Sequence, residues 1–537
     1  MIEADYIVVG GGSAGCVLAA RLSEDPATRV LVLEAGPSER GRLKMRIPLA
    51  WRDTFRDPAV SWGFMTEPEQ HADGRIVPAP RGRVLGGCAS VNGMMYSRGC
   101  RADYDAWARA GIAGWGYDDV LPYYRRSEAN WRGASQWHGA DGPLTVSRHA
   151  SDDYVYPRLI AAAEKLGYRH LDDFHGADFE GFSAPDFNVH RGERASTVTR
   201  FLRPAMRRAN LQVATDALVR RVLFDGRRAS GVEYEVGGQA RRARATRAVV
   251  LCAGTFNNPQ LLMLSGLGPA AELQRHGIAV RQDLPGVGRN LQDHQSLAMI
   301  YEASGPFTFD RELRLDRMAL AALRWQLFGT GPMAGLPVAA QGFVRTDPAL
   351  AAPDLQMLVS PVSMLAQPWF PLWRRGAGHL FSVACVLVRP ESRGEVTIRS
   401  ADPRDKPVIR LNLLQAEADR IAFRRIVRFV RRYFATAPAT ELVSAERSPG
   451  PAVQDDAAID AHVRKSLATA MHPTSTCAMG VDAQAVCDPS LRVRGVEGLY
   501  AADASVLPTI VSGNTNAPAI MVGEKAADLL RGRTTAT

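Results

Sequence analysis

The chain of 537 residues is too long for one hydrophobic core, and its 46% hydrophobic and 23% charged residues are typical of a folded globular protein. No apolar run reaches the roughly 18 residues that a membrane-spanning helix needs, so no integral membrane segment is expected. The net charge is +9, but the arginines are dispersed and no nucleic-acid-binding module accompanies them, which excludes nucleic acid as the expected partner.

The seven cysteines are scattered and include no C-x-x-C pair. An odd number without such spacing argues against a disulfide framework and against a zinc site, so no metal is predicted. Reduced cysteines are typical of the cytosol. Because a strand is predicted as early as Tyr6, little room precedes it for a secretory signal. The sequence therefore predicts a cytoplasmic protein.

The first elements form a β-α-β pattern. Tyr6–Val9 and Val30–Leu33 are short apolar runs typical of buried strands, and Ala14–Ser23 between them has the composition of a helix. The loop between the first strand and the helix, Gly10–Gly15, matches G-x-G-x-x-G in the context that this motif requires. This loop is therefore a candidate phosphate-binding site.

The glycines of this loop allow a tight turn and close approach of a pyrophosphate, and the helix N-terminus offers partial positive charge. Glu34 closes the second strand, where an acidic residue can bind ribose hydroxyls. The motif alone does not separate NAD from FAD. A glycine-rich turn without a ligand is the alternative interpretation.

Farther along the chain, the patterns predict a helix in two pieces over Asp103–Glu128, broken at Gly114–Gly116 and Pro122. Strands are predicted at Leu211–Val222 and Arg247–Ala253, and a helix is predicted from Asn258. Residues 301–460 differ in character, being rich in Pro and Trp. They are predicted to hold strands and an amphipathic helix: Leu380–Val388, Glu395–Ile398 and Ala416–Phe434. The last part returns to the βα pattern, with a strand at Gly498–Ala502 and a helix at Pro518–Leu530.

A second glycine-rich segment, Arg81–Gly99, has the sequence RGRVLGGCASVNGMMYSRG. It has neither a helical nor a strand period, and its glycines let the backbone come close to a ligand. Together with the first loop, it suggests one large cofactor that is held from two sides.

Arg81–Gly99 resembles the first signature of the glucose–methanol–choline (GMC) oxidoreductases, a family of FAD enzymes, and Gly254–Gly268 resembles the second. Further similar stretches follow in the family's order over nearly the whole chain: DYDAWA at Asp103, GWGYDDVLPYY at Gly114, HGADGPLTV at His138, DLPGVGRNLQDH at Asp283, RPESRGEV at Arg389, HPTSTCAMG at His472 and GNTNAPAIMVGEKAADLL at Gly513. Within the family, the chain resembles the bacterial choline dehydrogenase-like and sorbose dehydrogenase-like alcohol dehydrogenases.

The resemblance implies an α/β plus α+β fold, in which a Rossmann-like FAD-binding domain carries an inserted substrate-binding domain built on a mainly antiparallel sheet. The discontinuous FAD-binding domain is predicted at residues 1–155, 200–300 and 461–537. The substrate-binding domain is predicted at residues 156–199 and 301–460.

The resemblance also implies that FAD is bound noncovalently, because relatives that bond it covalently use a His where this chain has Val91. Asn92 and the backbone of the next two residues are expected to face the flavin, and Asp503 is expected to contact FAD after the last strand. The predicted cofactor-binding residues are Gly10, Gly12, Ser13, Ala14, Gly15, Glu34, Ala35, Trp62, Gly87, Asn92, Gly93, Met94, Val219, Ala253, Asp503, Ala504, Asn514 and Thr515.

The family's active-site histidine lies in the motif HPTSTCAMG, so His472 is the predicted general base for the alcohol hydroxyl. Asn514, in the block before the last helix, is predicted to hydrogen-bond the substrate oxygen. An Asn cannot share proton transfer, so a single-base mechanism is expected. The other interpretation of Asn514 is a helix N-cap, a role for which Asn516 is the better candidate.

The predicted function is FAD-dependent oxidation of a primary alcohol, a polyol or a sugar-like alcohol, with hydride transfer to flavin N5. The electrons are expected to pass to a quinone, a dye-like acceptor or oxygen. Two alternatives stay open: a non-redox or light-driven family member, such as a hydroxynitrile lyase or a fatty-acid photodecarboxylase, and an NAD-binding or ligand-free Rossmann-like scaffold. The sequence leaves the oligomeric state undetermined.

Overall fold

The structure is a computed structural model that describes residues 2–148 and 154–533. Two large buried hydrophobic clusters organise it, one around each of two main β-sheets. Among the described residues, no helix has the length and apolar character needed to cross a bilayer.

The first sheet contains seven strands within the described residues: Ile2–Val9, Val30–Leu33, Leu211–Ala214, Ala217–Asp225, Arg228–Val236, Gln239–Leu251 and Leu499–Ala501. The first strand pairs in parallel with its neighbours on both sides. Strands buried on both faces form continuous apolar runs, and the run Val30–Leu33 is fully buried. The parallel core of this sheet is therefore the Rossmann-like part of the predicted fold.

Two helices pack against each other beside the first sheet. The first helix, Ser13–Leu22, lies so close to the last helix, Asn516–Leu530, that a Cβ on Gly523 would stand 2.7 Å from the Ala14 carbonyl oxygen. The carboxylate of Glu524, which is fully buried, accepts hydrogen bonds from Arg21. These contacts bring the phosphate-loop helix and the end of the described chain into one unit.

The second sheet is antiparallel and also has seven strands in the part of the chain that the structure describes: Gly181–Ser183, Gln295–Ala303, Ala340–Val344, Leu355–Ser360, Leu380–Leu387, Val443–Ser448 and Ala468–Thr469. Successive side chains of a strand point to opposite faces. One face, which includes Leu297, Met357 and Val383, is buried in the same cluster as the helix Glu417–Ala435. The other face lines the central cavity.

The remaining helices and short strands connect these two cores. The helices are Leu43–Arg46, Trp51–Arg56, Arg101–Arg109, Tyr117–Ser127, Val155–Lys165, Arg203–Ala205, Asn257–Leu264, Ala270–Arg275, Leu315–Phe328 and Asp456–Ser466. The short strands are Glu128–Asn130, Leu144–Arg148, Asp186–Phe187, Val189–His190, Glu193–Arg194, Leu267–Gly268, Gln282–Asp283, Glu395–Thr397 and Val408–Arg410.

Two local predictions were wrong. Pro122 does not break the second piece of the early helix, because it lies inside Tyr117–Ser127. The predicted strand from Leu211 to Val222 is two strands, which separate at Asp216, where the backbone has a φ of 54°. A left-handed residue cannot continue an extended strand, so the chain turns there.

The predicted domain boundaries fall inside secondary-structure elements. The boundary after residue 155 lies in the helix Val155–Lys165, the one after 300 lies in the strand Gln295–Ala303, and the one after 460 lies in the helix Asp456–Ser466. The division into an FAD-binding and a substrate-binding domain stays a prediction.

Candidate active site

A continuous cavity of about 630 Å³ extends from the ends of the first-sheet strands to the open face of the second sheet. Val9 and Leu33 line it on the first-sheet side, and Ser296, Gln356 and Ala384 line it on the second-sheet side. The two glycine-rich loops and the start of the last helix complete the wall. The geometry of this cavity defines the candidate active site.

The two glycine-rich loops contact each other directly. The amide of Gly86 donates a 2.6 Å hydrogen bond to the carbonyl oxygen of Gly11. A Cβ on Gly87 would stand 2.8 Å from the Cα of Gly12, and Gly87 has a φ of 51°. Because both the space and the backbone conformation demand glycine at residue 87, the loops form one continuous cradle, as expected for a cofactor held from two sides.

Glu34 is bound at both of its carboxylate oxygens by backbone amides. Oε2 accepts from Gly11 at 2.9 Å and Oε1 accepts from Gly36 at 2.8 Å. Burial raises the pKa of this carboxyl group to about 7, although the two amide hydrogen bonds oppose the shift. Glu34 thus fixes the phosphate loop, and its predicted contact with ribose hydroxyls stays a prediction.

Asn92 fixes the second loop from within. Its Oδ1 accepts from the Met94 amide at 3.0 Å and from Nη1 of Arg194 at 2.9 Å. Arg194 is buried, and desolvation lowers its pKa to about 9. The position of Met94, with a left-handed φ of 56°, is therefore stabilised by a cation behind the loop that the sequence analysis did not identify.

Asp503 joins the ends of two first-sheet strands. Its Oδ2 accepts from the Gly254 amide at 2.7 Å and from the Asn258 side chain at 2.9 Å. Asn258 also accepts from the amide of Ala253 at 2.9 Å. Burial raises the pKa of Asp503, against the hydrogen bonds that lower it.

His472 stands between an asparagine and a second histidine. Its Nε2 lies 3.0 Å from Nδ2 of Asn514, and its Nδ1 lies 3.0 Å from Nδ1 of His294. Burial holds the pKa of His472 well below its usual value, and His294 and Arg81 lower it further. His472 is therefore neutral near pH 7, and its ring can accept a proton.

Asn514 is oriented by the second sheet. Gln356 donates from Nε2 to Oδ1 of Asn514 at 3.1 Å, so Nδ2 of Asn514 is directed to His472. In this arrangement Nε2 of His472 carries a lone pair, and Nδ1 carries the proton that it shares with His294. The last helix begins at Asn516 without a side-chain cap, and Asn516 instead accepts from the Ser13 hydroxyl. The N-cap interpretation was therefore wrong for both asparagines.

Three side chains around His472 were not predicted from the sequence: Gln356, Asp293 and His294. Asp293 accepts from the His472 amide at 2.7 Å and from the Thr469 hydroxyl, and burial raises its pKa to about 6. Asp293 and His294 belong to the stretch DLPGVGRNLQDH, which could have marked them as site residues. The residue spacing in this stretch does not indicate a function for either side chain. Gln356 lies in a strand with no motif, and only the fold places it.

All but one of the predicted cofactor-binding residues line the cavity. The exception is Gly15, where a Cβ would stand 2.0 Å from the Gly10 carbonyl oxygen, so this glycine serves the close packing of helix and loop. The cradle, the polar groups at the strand ends and the helix N-termini fit a dinucleotide such as FAD, whose pyrophosphate needs close backbone approach. No described group of His, Cys, Asp and Glu side chains is arranged to hold a metal ion.

Comparison with known proteins gives the family. The family models described as GMC oxidoreductase match residues 4–296 and 390–523. The chain is 42% identical to oxygen-dependent choline dehydrogenase of Brucella canis, over 99% of this chain and 96% of that protein. It is also 42% identical to mitochondrial choline dehydrogenase of Homo sapiens, over 99% and 90%.

Solved structures with the same fold include pyridoxine 4-oxidase from Mesorbium loti, with a TM-score of 0.88, 29% identity and coverage of 99% of this chain and 100% of that one. Another is formate oxidase of Aspergillus oryzae RIB40, studied for FAD modification, with a TM-score of 0.91, 28% identity and coverage of 99% and 98%. The chain belongs to the GMC oxidoreductase family and is an FAD-dependent oxidoreductase acting on CH–OH donors. Among its relatives, it is choline dehydrogenase-like.

Proposed function

We propose that this protein oxidises an alcohol to an aldehyde or ketone, with His472 as the general base and Asn514 as the group that orients the substrate oxygen. The observation that carries the proposal is the 3.0 Å contact between Nε2 of His472 and Nδ2 of Asn514, in the wall of the cavity that also contains both glycine-rich loops. A base and a hydrogen-bond donor that converge on one point suit an alcohol hydroxyl.

The electrostatics of His472 support this role. Because its pKa is held below the usual value, the imidazole is neutral and free to take the hydroxyl proton at Nε2. The FAD, when bound, supplies the acceptor for the hydride. The substrate hydroxyl replaces Asn514 as the partner of the Nε2 lone pair, and the amide of Asn514 then donates to the substrate oxygen. Gln356 holds that amide in the donating orientation.

The cradle residues described above are proposed to bind FAD, and they are proposed to do so without a covalent bond, because Val91 stands where relatives that bond FAD covalently have a His. Acid precipitation tests this second point, since noncovalent FAD stays in the supernatant. The proposed electron acceptor is a quinone-type molecule or oxygen. The proposed compartment is the cytoplasm, on the sequence alone, whereas the human relative is named as mitochondrial.

The test is an anaerobic screen in which a panel of alcohols is added to the FAD-loaded protein and the flavin's visible absorption is followed. Loss of that absorption with any alcohol supports the proposal. If FAD is bound and no alcohol bleaches it, the proposal fails, and a non-redox or light-driven reaction becomes the better interpretation. Repeating the active reactions with a dye acceptor beside an oxygen electrode identifies the acceptor class.

A further inference from the structure

The cavity wall beyond His472 is one face of the second sheet, and its side chains other than Gln356 are small or apolar. Three strands contribute in register: Gln356 and Leu358 lie opposite Val386 and Ala384, and Ala298 pairs with Ala384 from the other side. The face ends at Ser360 and Ser382. Four residues along a strand span about 13 Å, so the wall can accommodate an elongated apolar group attached to the alcohol carbon.

The charges in the cavity wall are distributed unevenly. The two carboxylates in the wall are Glu34 and Asp503, and both already accept backbone amides at the first-sheet end. The charged residues that line the cavity from the helix Trp51–Arg56 are Arg52 and Arg56. A cationic substrate group would therefore meet positive charge and find no free carboxylate on the described wall.

Of the four aromatic side chains in the described cavity wall, Phe55 and Trp62 already lie against cations, and Phe256 packs edge-on against Phe64. The guanidinium of Arg56 lies 5.4 Å from the ring centre of Phe55, and that of Arg83 lies 5.4 Å from the ring centre of Trp62. Trp51 stacks on Phe55, with ring centres 5.4 Å apart. A quaternary ammonium needs open aromatic faces or a carboxylate, and these positively charged neighbours oppose its binding.

We propose that the substrate is an uncharged alcohol with an apolar body, and that the trimethylammonium group of choline is excluded. This inference deepens the proposed function and rests on it. It separates the chain from the relatives named as choline dehydrogenases, with which it shares 42% identity.

The test compares choline with 3,3-dimethylbutan-1-ol, an alcohol of the same shape in which carbon replaces the charged nitrogen. In anaerobic stopped-flow mixing, the uncharged alcohol should reduce the flavin with a second-order rate constant at least about tenfold above that of choline. Equal or faster reduction by choline overturns the inference. Reduction by neither compound nor by longer apolar alcohols overturns the proposed function instead, so the two failures are distinguishable.

An Arg56→Glu variant sharpens the test, because it replaces the cation above Phe55 with an anion. In this variant, the ratio of the second-order rate constant for the uncharged alcohol to that for choline should fall severalfold. The fall should come mainly from tighter apparent binding of choline. Arg241→Glu, an exposed charge reversal on the first sheet, is the matched control and should leave the preference unchanged. If both variants change the preference equally, net charge rather than the cavity wall explains it, and the inference is overturned.

A second observation concerns the outer surface. The helix Leu315–Phe328 buries Ala321 and Trp325, while its leucines point away from the protein. Leu320, Leu323 and Leu327 share one exposed face, because residues three and four apart lie on the same side of a helix. Helices normally bury such a stripe.

An exposed loop extends the apolar helix face. Residues 363–375 attach to the start of the helix through hydrogen bonds between Leu315 and Trp369 at 2.9 Å and between Trp369 and Leu313 at 3.1 Å. Met364 in this loop lines the cavity. We call the whole exposed set the apolar rim, and it consists of Leu320, Leu323, Leu327, Phe328, Leu365, Phe370, Leu372 and Trp373.

The charges around the apolar rim are mostly positive. Residues 311–328 and 363–375 contain six arginines and two carboxylates: Arg311, Arg314, Arg317, Arg324, Arg374 and Arg375, with Glu312 and Asp316. Leucine and aromatic side chains flanked by arginines match the interface of a bilayer with anionic headgroups. Pairing of two copies through this face would instead bring like charges together.

The geometry points to a peripheral membrane-binding surface at the apolar rim, with an anionic lipid bilayer as its partner. This surface would place the loop that lines the cavity against the lipid, which is where apolar alcohols and quinones concentrate. The inference does not depend on the proposed chemistry, because the surface is defined by exposed residues outside the cavity.

The test is co-sedimentation of the FAD-loaded protein with vesicles of phosphatidylcholine, with and without phosphatidylglycerol. The wild type should bind the anionic vesicles, and added salt should weaken binding. The triple variant Leu323→Ser, Leu327→Ser and Trp373→Ser should partition at least about tenfold less. The double variant Ile76→Ser and Val481→Ser is the matched control, because these residues are 56% and 57% exposed, against 56% for Leu323 and 60% for Trp373.

If the triple variant and the control lose vesicle binding equally, the membrane assignment is overturned. It is also overturned if the wild type does not bind anionic vesicles. Light scattering provides a further check. If the wild type is a dimer that the triple variant converts to a monomer, and vesicles do not bind, the apolar rim is a contact between copies and the assignment is wrong. Retained FAD in the variants shows that they are folded.

Discussion

Glu34, in the first-sheet wall of the cavity, takes its polar contacts from nearby segments of the chain, whereas the wall around His472 takes them from distant ones. Glu34 binds amides 23 and 2 residues away, at Gly11 and Gly36. His472 contacts residues 178 and 42 positions away, and Gln356 reaches Asn514 across 158 positions. A local motif can therefore shape the phosphate loop, but Asp503 on the same wall and the reacting groups around His472 find their partners only when distant segments have folded together.

We therefore expect substitutions in the two walls to have different effects on the protein. Changes on the first-sheet side should release FAD, and changes around His472 should slow the chemistry while FAD stays bound. Four substitutions test this separation, and each is read out by both FAD content and the rate of flavin reduction.

His472→Ala should have the largest effect. Removing the general base should slow flavin reduction roughly 10²–10⁴-fold, with FAD content unchanged. Stopped-flow absorbance under anaerobic conditions measures the rate. The control is His276→Ala, a histidine that contacts Glu272 away from the cavity. A His472→Ala protein that reduces flavin at the wild-type rate refutes the base assignment.

Gly87→Ala should weaken FAD binding at the first-sheet wall of the cavity. The added Cβ meets the Cα of Gly12 at 2.8 Å and stands on a residue with φ of 51°, so the cradle must open. The dissociation constant of FAD should rise at least about tenfold, as measured by fluorescence titration of the stripped protein. Gly226→Ala is the matched control, with φ of 58° and no atom within 4 Å of the new Cβ. Equal losses in both variants would mean that backbone strain alone, and not the contact between the loops, is responsible.

Gln356→Leu should slow flavin reduction roughly tenfold, because Asn514 loses the donor that fixes its amide. The loss should fall on the limiting rate of reduction more than on the apparent binding of the alcohol, with FAD retained. Gln341→Leu is the control, since Gln341 is also buried in the second sheet but does not line the cavity. A loss of FAD in Gln356→Leu would contradict a positioning role.

Arg81→Met should produce the smallest effect, a shift in pH dependence. The base must be neutral to act, so the rate should fall only as pH drops through the lowered pKa of His472. Removing a positive neighbour raises that pKa. The fall in the rate of flavin reduction at low pH should therefore move to higher pH, by less than about one unit. Arg83→Met is the control, because its guanidinium lies over Trp62 and does not act on His472. If the fall in rate moves to lower pH instead, it reports the titration of a group other than His472.

The sequence predicted the β-α-β unit, the two glycine-rich loops and the family, because each depends on residues close together in the chain. It also predicted His472 and Asn514 through motifs, and the structure brings their side chains into contact. It did not predict Gln356 or Arg194, since a buried polar side chain in an ordinary strand carries no local signal. It assigned Asn516 to a helix cap, although that side chain instead bonds to Ser13, a residue 503 positions away.

The packing of the first helix on the last helix has a consequence for the synthesis of the protein. Ser13–Leu22 leaves the ribosome early, but its partner Asn516–Leu530 follows about 500 residues later, roughly 25–100 s at ordinary elongation rates. During that interval Arg21 has no Glu524 to pair with, and the apolar side of the first helix is uncovered. The contact between Ser13 and Asn516 can form only after Asn516–Leu530 has been made, so we expect FAD capture to follow the synthesis of that helix and chaperone protection of the earlier chain to favour it.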